Sequence, residues 1–289
     1  MKTRTLGRLL AQEDLNFLLT NRIPRIALTR AMGKLSKIRS PLWTRLALKV
    51  WGWFDDLDLR EARESRFESI HDCFTRQLRD GARPVDMRPD IMASPCDAII
   101  GASGPIDGQT LLQAKGMPYT LDELLGPTQD WGPFRGGQYL TLRLTSAMYH
   151  RFHAPHDAHI RHVTYISGDT WNVNPIALAR VKKLFCRNER AVIRMQLDTP
   201  GKHEFALVPV AAVLVASIRL HCLDVLLHLR YGGPTEIPCD AAVTKGQELG
   251  WFEHGSTIIV LAPPGFELIQ GLATGSRVRA GQALMALPA

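Results

Sequence analysis

The sequence predicts an α+β chain: a helical N-terminal arm over residues 1–80, then a mainly-β barrel or sandwich over residues 81–289. Three observations predict it. Positive charge is concentrated at one end, the apolar residues there recur at helical spacing, and from Ile91 onward short β-rich runs alternate with Gly, Pro and Asp. At 289 residues, 45% hydrophobic and 22% charged, the chain is long enough to bury a core and has ordinary globular composition. A wholly disordered chain and a multi-span membrane protein are excluded. No run reaches the ~18 apolar residues of a spanning helix.

The first fifty residues hold eleven Lys or Arg against two acids, Glu13 and Asp14. The overall balance is +7, so the remainder is slightly acidic. The segment predicts two amphipathic helices broken near Pro41, with Leu42, Trp43, Leu46, Val50 and Trp53 among the apolar positions of the second. Basic residues on one side and Trp, Phe and Leu on the other suit an anionic bilayer surface. A hairpin packed on its own domain fits the same pattern. Arg and Lys continue through the stretch, which argues against a signal peptide. No nucleic-acid motif accompanies the charge.

Residues 55–80 mix charges with apolar positions at helical spacing and predict one or two further helices. Gly81–Pro89 reads as a boundary. The β runs that follow include 98–102, 139–144, 162–166, 191–196, 205–219 and 257–261. A short pattern, V-x-x-G-Q-x-L, occurs at Val243–Leu249 and at Val278–Leu284, and predicts two related β-hairpin elements. The five cysteines form no close pairing, so a disulfide framework is not expected and a reducing compartment is the default.

Three segments carry chemistry: Ser94-Pro95-Cys96-Asp97-Ala98, Tyr149-His150-Arg151-Phe152-His153-Ala154-Pro155 and Glu253-His254-Gly255-Ser256-Thr257. A Gly-Ser bond before a strand sets a hydroxyl beside a carbonyl left open by the missing Cβ. Once a base takes the proton, the Ser256 oxygen can attack the Gly255 carbonyl and an ester replaces the peptide bond. β-Elimination then cleaves the chain. The new N-terminal dehydroalanine hydrolyses to a pyruvoyl group with loss of ammonia. That route needs a serine, a base and an orienter, roles that Ser256, His153 and Asp97 could fill. Taken alone, a Gly-Ser pair is a common structural turn.

The segments YHRFHAP and HGST resemble the His motif and the Gly-Ser-Thr self-cleavage motif of phosphatidylserine decarboxylases. FTRQLRDGARPVD, SPCDAIIG, LLQAKGMPYTLDELLG, YISGDTWNVNP, LFCRNERAVI and KGQELGWF follow in the family's order and spacing, from about residue 40 to the C-terminus. The chain is identified as resembling the bacterial membrane-associated, pyruvoyl-dependent form. The resemblance implies cleavage between Gly255 and Ser256 and a pyruvoyl cofactor derived from Ser256. It implies a self-processing triad of Asp97, His153 and Ser256, with His150 a proton donor or substrate-site residue. It also implies a large and a small chain that stay associated, phosphatidylserine as substrate, and phosphatidylethanolamine and CO2 as products. A peripheral location on the cytoplasmic face of the cell membrane follows, and a homo-oligomer is compatible with it. The family usually has Gly where Ala98 stands and an apolar residue where His254 stands.

Two rival activities are a pyruvoyl enzyme acting on another amino-acid headgroup or a free amino acid, and a zinc hydrolase using His150, His153, His156, His159 and His162. Period three fits neither a helix face nor a strand face, and no HExxH arrangement is present; no metal is expected. A non-catalytic relative would not need Asp97, His153 and Ser256 together. The phosphate-loop, dinucleotide and G-x-S-x-G patterns are absent.

Overall fold

A computed structural model describes residues 12–21, 24–53, 55–127, 130–213, 217–228, 231–253 and 256–288. Three helices open it: α1 (Glu13–Asn21), α2 (Arg25–Leu35) and α3 (Pro41–Trp51). The break predicted near Pro41 has a local cause. Ser40 caps α3, accepting from the Trp43 N–H at 3.5 Å, and Pro41 occupies the first turn, where a missing N–H does no harm. Of residues 55–80 only α4 (Ile70–Phe74) is helical, started by a Ser69–Asp72 capping box. The stretch before it pairs instead as a short extended bridge, Ala62 with Leu78, so the helical spacing there was misleading.

Seventeen strands follow among the described residues. An eight-stranded antiparallel sheet runs, in spatial order, β12 (Glu236–Val243), β7 (Ala158–Ile166), β8 (Arg190–Leu197), β9 (Glu204–Ala211), β14 (Ser256–Ala262), β5 (Gln138–Arg143), β2 (Ala98–Pro105) and β16 (Arg277–Val278). A four-stranded sheet contains β11 (Leu226–His228), β10 (Ser217–Leu220), β13 (Glu248–Phe252) and β6 (Arg151–His153). A third joins β1 (Ile91–Ala93), β17 (Ala283–Ala286) and β15 (Glu267–Leu268), and a hairpin pairs β3 (Thr110–Leu112) with β4 (Pro118–Thr120). The chain is α+β, as expected, but the barrel expectation is corrected. The large sheet ends at β12 and β16, which pair with different neighbours, and it stays open.

β8, β9 and β14 are almost wholly buried, which explains their continuous apolar runs. Pro209 sits inside β9 although it has no N–H to give. It keeps register with Ile258 on β14, while the ladder to β8 lapses between Leu207 and Val210, so the missing donor faces the lapse. β14 lies between β9 and β5 at the centre of the molecule.

Candidate active site

The two V-x-x-G-Q-x-L copies are related in space as well as in sequence. Each forms a tight turn in which Gln packs back on the first turn residue: the Thr244 N–H donates to Gln247 Oε1 at 2.9 Å, and the Arg279 N–H to Gln282 Oε1 at 3.1 Å. The glycines sit at φ 81° and 85°, where a side chain is strained. Each turn grips a matching segment, Ala154–Ala158 or Ser94–Ala98. Gly246 N–H donates to Ala154 O at 2.8 Å and Gly281 N–H to Ser94 O at 2.9 Å. Lys245 N–H donates to Asp157 Oδ1 at 2.7 Å and Ala280 N–H to Asp97 Oδ1 at 2.9 Å. The halves then cross-link reciprocally: His153 N–H to Pro95 O at 2.8 Å, and Ala93 N–H to Pro155 O at 2.9 Å. The gripped segments share P-x-D-A-x-I at residues 95–100 and 155–160. The internal repeat of the sequence thus extends beyond the two V-x-x-G-Q-x-L turns to the segments they hold.

The backbone bonds bring Asp97 and His153 to one place, but their side chains do not bond to each other. Asp97 is buried and held by Arg83, whose Nε and second terminal nitrogen donate to its two oxygens at 2.8 and 2.6 Å. Arg83 also donates to Glu61 at 2.8 Å. Burial works against the Arg83 charge, yet these bonds outweigh it and raise its pKa. Arg83 is thus a functional neighbour that sequence reasoning passed over, although it lay inside the FTRQLRDGARPVD segment.

His153 is fixed at both nitrogens. Nδ1 lies 2.9 Å from the Gly246 carbonyl, which only accepts, so Nδ1 carries the proton. Nε2 is then the acceptor, and the Tyr149 hydroxyl donates to it at 3.1 Å. Burial pulls the imidazole pKa below the ordinary histidine range. The Gly246 carbonyl and the charges of Glu248 and Asp97 push the other way. A neutral ring with a basic Nε2 is the form a general base needs.

His150 is fully buried on β13's side of the site. Its Nδ1–H donates to Met148 O at 2.8 Å, its ring lies on Phe74 with centroids 3.9 Å apart, and its carbonyl accepts the Phe252 N–H at 3.0 Å. Phe252 ends β13 and Ser256 opens β14, so the intervening link crosses from the four-stranded to the eight-stranded sheet. His254 and Gly255 lie outside the described residues. Ser256 is placed by its backbone alone, opposite Ala211 on β9. Next to it, the Thr257 hydroxyl is fully buried and has no hydrogen-bond partner among the described residues.

A cavity of about 980 Å³ opens beside this strand head, between α3 and the ends of β5 and β9. Phe74 lines it, so one ring touches both the cavity and His150. The other histidines of the period-three run disperse. His156 contacts the Pro89 carbonyl at 2.9 Å, and His159 pairs with Asp240. Among the described residues no three His, Cys, Asp or Glu side chains converge as metal ligands.

A family model described as phosphatidylserine decarboxylase matches residues 70–286. The chain belongs to the phosphatidylserine decarboxylase family. It is similar to the phosphatidylserine decarboxylase proenzyme of Brevibacillus brevis, at 33% identity over 92% of this chain and 95% of that protein. The proenzyme of Anaeromyxobacter sp. (strain K) is 37% identical over 91% of this chain and 94% of its own length. That of Myxococcus xanthus is 37% identical over 84% and 87%. The family match spans every strand of both half-turn units, from β1 to β17.

Proposed function

We propose that the chain decarboxylates phosphatidylserine to phosphatidylethanolamine and CO2, using a pyruvoyl group made from Ser256 by self-cleavage of the Gly255–Ser256 bond. The observation that carries this reading is that the chain leaves the four-stranded sheet at Phe252, the end of β13, and enters the eight-stranded sheet at Ser256, the head of β14. Each of those strands is paired on both sides, with His153 on β6 beside β13 and His150 just before β6. Cutting there leaves β14 paired on both edges and β17 paired to β1. A large chain ending at Gly255 and a small chain of the remaining 34 residues would therefore stay together.

In self-cleavage, His153 Nε2 takes the Ser256 proton while Nδ1 keeps its own on the Gly246 carbonyl. Tyr149 must yield its place on Nε2 for this to happen. Glu248 and then Asp97, the latter clamped by Arg83, supply negative charge that favours the imidazolium so formed. Residues at the strand head fit a pyruvoyl group: the orphaned, buried Thr257 hydroxyl is a donor without an acceptor beside the position where new carbonyls would stand. That group supplies an electron sink for loss of a carboxylate from an α-amino acid. His150, its tautomer fixed by Met148, lies against Phe74, which lines the cavity, and is the residue assigned to return the proton.

The N-terminal helices complete the reading as a peripheral anchor at the cytoplasmic face of the cell membrane. Leu42 is 80% and Trp53 64% exposed, with Trp43, Leu46 and Val50 partly exposed beside them, an apolar face left uncovered in part among the described residues. α1 is tied to the body by Arg180 bonds to Glu13 and Asp14, and Arg25 at the start of α2 pairs with Asp169 at 2.6 Å. The arm therefore presents that face from a fixed position. Among the described residues no helix is long and apolar enough to cross a membrane.

Denaturing mass analysis of the purified chain tests the core of the reading. Two fragments, the smaller lacking a free amino terminus, are expected, and Ser256→Ala should stay in one piece without activity. An intact, fully active chain would sink it. Leu42→Glu with Trp53→Glu should release the protein from anionic vesicles. If the double variant still pelleted with them, the anchor role would fail.

A further inference from the structure

The cavity beneath α3 has one cationic lining residue among those described, Arg143, and nothing in the self-cleavage chemistry uses it. Arg143 ends β5, directly opposite Thr257 on β14, one residue along from Ser256. On the other flank Ala212 follows Ala211, the partner of Ser256, and also lines the cavity. The head of β14 is thus bracketed by two cavity-wall positions.

Arg143 is half-buried, yet among the described residues its guanidinium makes no hydrogen bond or ion pair. Its nearest acid, Asp55, also lines the cavity but is engaged elsewhere. Asp55 accepts from the Ser146 hydroxyl and from the Ala147 N–H at 3.1 Å. Burial lowers the Arg143 pKa and Asp55 opposes it, but a guanidinium stays charged at any working pH. A cation withdrawn from water without a partner is unfavourable, and arginine's planar fork matches oxyanions bidentately. The remaining wall is largely apolar, including Trp43, Leu46 and Val50 from the exposed face of α3. One cation in a largely apolar cavity, one wall of which is α3, fits an amphiphile with an anionic head.

We propose that Arg143 binds the phosphodiester of the lipid headgroup, and so sets the reach of the amino acid to the head of β14. This rests on the decarboxylase reading for the identity of the lipid. A phosphatidylserine headgroup offers two anions, and the chemistry chooses between them. The carboxylate has to leave as CO2, and an arginine fork on it would hold the charge that must depart. The phosphorus lies three bonds from the headgroup α-carbon, on the order of 4 Å by standard bond lengths. Opposed residues on antiparallel strands have Cα atoms ~5 Å apart, so a side chain as long as arginine spans that offset.

The test uses the full chain, and its binding arm needs no turnover. Lysophosphatidylethanolamine carries the phosphodiester but no carboxylate, and a monoacylglycerol of equal chain length carries neither. Binding is read from the fluorescence of Trp43 and Trp51, which line the cavity. The wild type should prefer the phospholipid. Arg143→Gln should weaken it by about 10-fold or more, the size of a lost charge-assisted pair, and leave the monoacylglycerol unchanged. Arg143→Lys should recover part of the loss.

Equal affinity of wild type and R143Q for lysophosphatidylethanolamine would overturn the proposal. An R143Q that bound this lipid normally but raised KM for phosphatidylserine would move Arg143 to the carboxylate, and also overturn it. Equal loss of both lipids would mark a collapsed cavity and reject the phosphodiester assignment. Failure of the decarboxylase reading looks different. The wild type would then release no CO2 and stay uncleaved while still preferring the phospholipid.

Discussion

The two half-turn units share a backbone and differ in what they carry. In one, Ala93 crosses to Pro155 and offers only a methyl; in the other, His153 crosses to Pro95 and offers an imidazole. Both units use an aspartate to cap the turn, at 2.9 and 2.7 Å. Asp157 is exposed, whereas Asp97 is buried and clamped by Arg83. The duplicated scaffold explains how the turns are built but not the chemistry. What distinguishes the candidate site is one imidazole, one guanidinium and the burial that makes both matter.

His153→Ala breaks the comparison most directly, because it turns one half into the likeness of the other. Self-cleavage should slow by at least ~10²-fold, the usual size of a lost general base. Timed denaturing mass analysis reads it, with circular dichroism to check folding. Cleavage at the wild-type rate would remove His153 from the chemistry.

The two aspartates sharpen the contrast. Asn at either position keeps an oxygen for the turn N–H and removes the charge. Asp97→Asn removes the stronger of the two carboxylate partners of the buried Arg83, leaving Glu61, and should cost about 2 kcal/mol, less than a fully broken buried pair. Cleavage should slow with it. Asp157→Asn keeps its hydrogen bond at an exposed site and should cost about 1 kcal/mol or less. Urea midpoints and cleavage rates measure both. Should D157N slow cleavage as far as D97N, the second half would be more than scaffold.

Much of this was legible in the sequence. Alternation and turn residues placed most large-sheet strands within a few residues, and Ser40-Pro41 marked the helix break. The motifs named Asp97, His150, His153 and Ser256, and the fold brings the first three to β1–β2 and β6, with Ser256 at the head of β14. Sheet closure was not legible, because whether β12 and β16 meet depends on accumulated twist and not on any local residue. Nor was the Arg83 clamp: a pair separated by fourteen residues leaves no periodic trace. The helical spacing at 55–69 misled because those apolar positions face tertiary neighbours, with Ala62 fully buried.

The turn glycines separate stability from chemistry. A Cβ at Gly281 would stand 2.6 Å from the Pro84 carbonyl oxygen, which is backbone and cannot move aside. At Gly246 it would meet Val85 Cγ2 at 2.6 Å, the end of a side chain that can rotate. Both substitutions also pay ~1 kcal/mol for a left-handed residue. Gly281→Ala should therefore lose more stability, by about 1 kcal/mol over Gly246→Ala. Yet Gly246→Ala disturbs the carbonyl that fixes the His153 tautomer, so it should slow cleavage more. The two orders should cross between a urea titration and a cleavage time course. If one variant were worse in both, the division of labour between the turns would be lost.

The smallest expected effect lies in the pH profile. Burial lowers the His153 pKa, so the neutral base persists below the ordinary midpoint of ~6.5. The cleavage rate should rise with pH through a midpoint under that value and then level off. Tyr149 donates to Nε2, a bond only the neutral ring can accept, and so favours the unprotonated state. Tyr149→Phe removes that donor. The proton then competes with nothing at Nε2, and the acid midpoint should move upward by a fraction of a unit, while the plateau rate stays level or rises because the base no longer has to be uncovered. A midpoint that stayed fixed, or moved down, would mean that the hydroxyl does not govern this nitrogen. Ala93, the matching position in the other half, has no such nitrogen for a hydroxyl to hold.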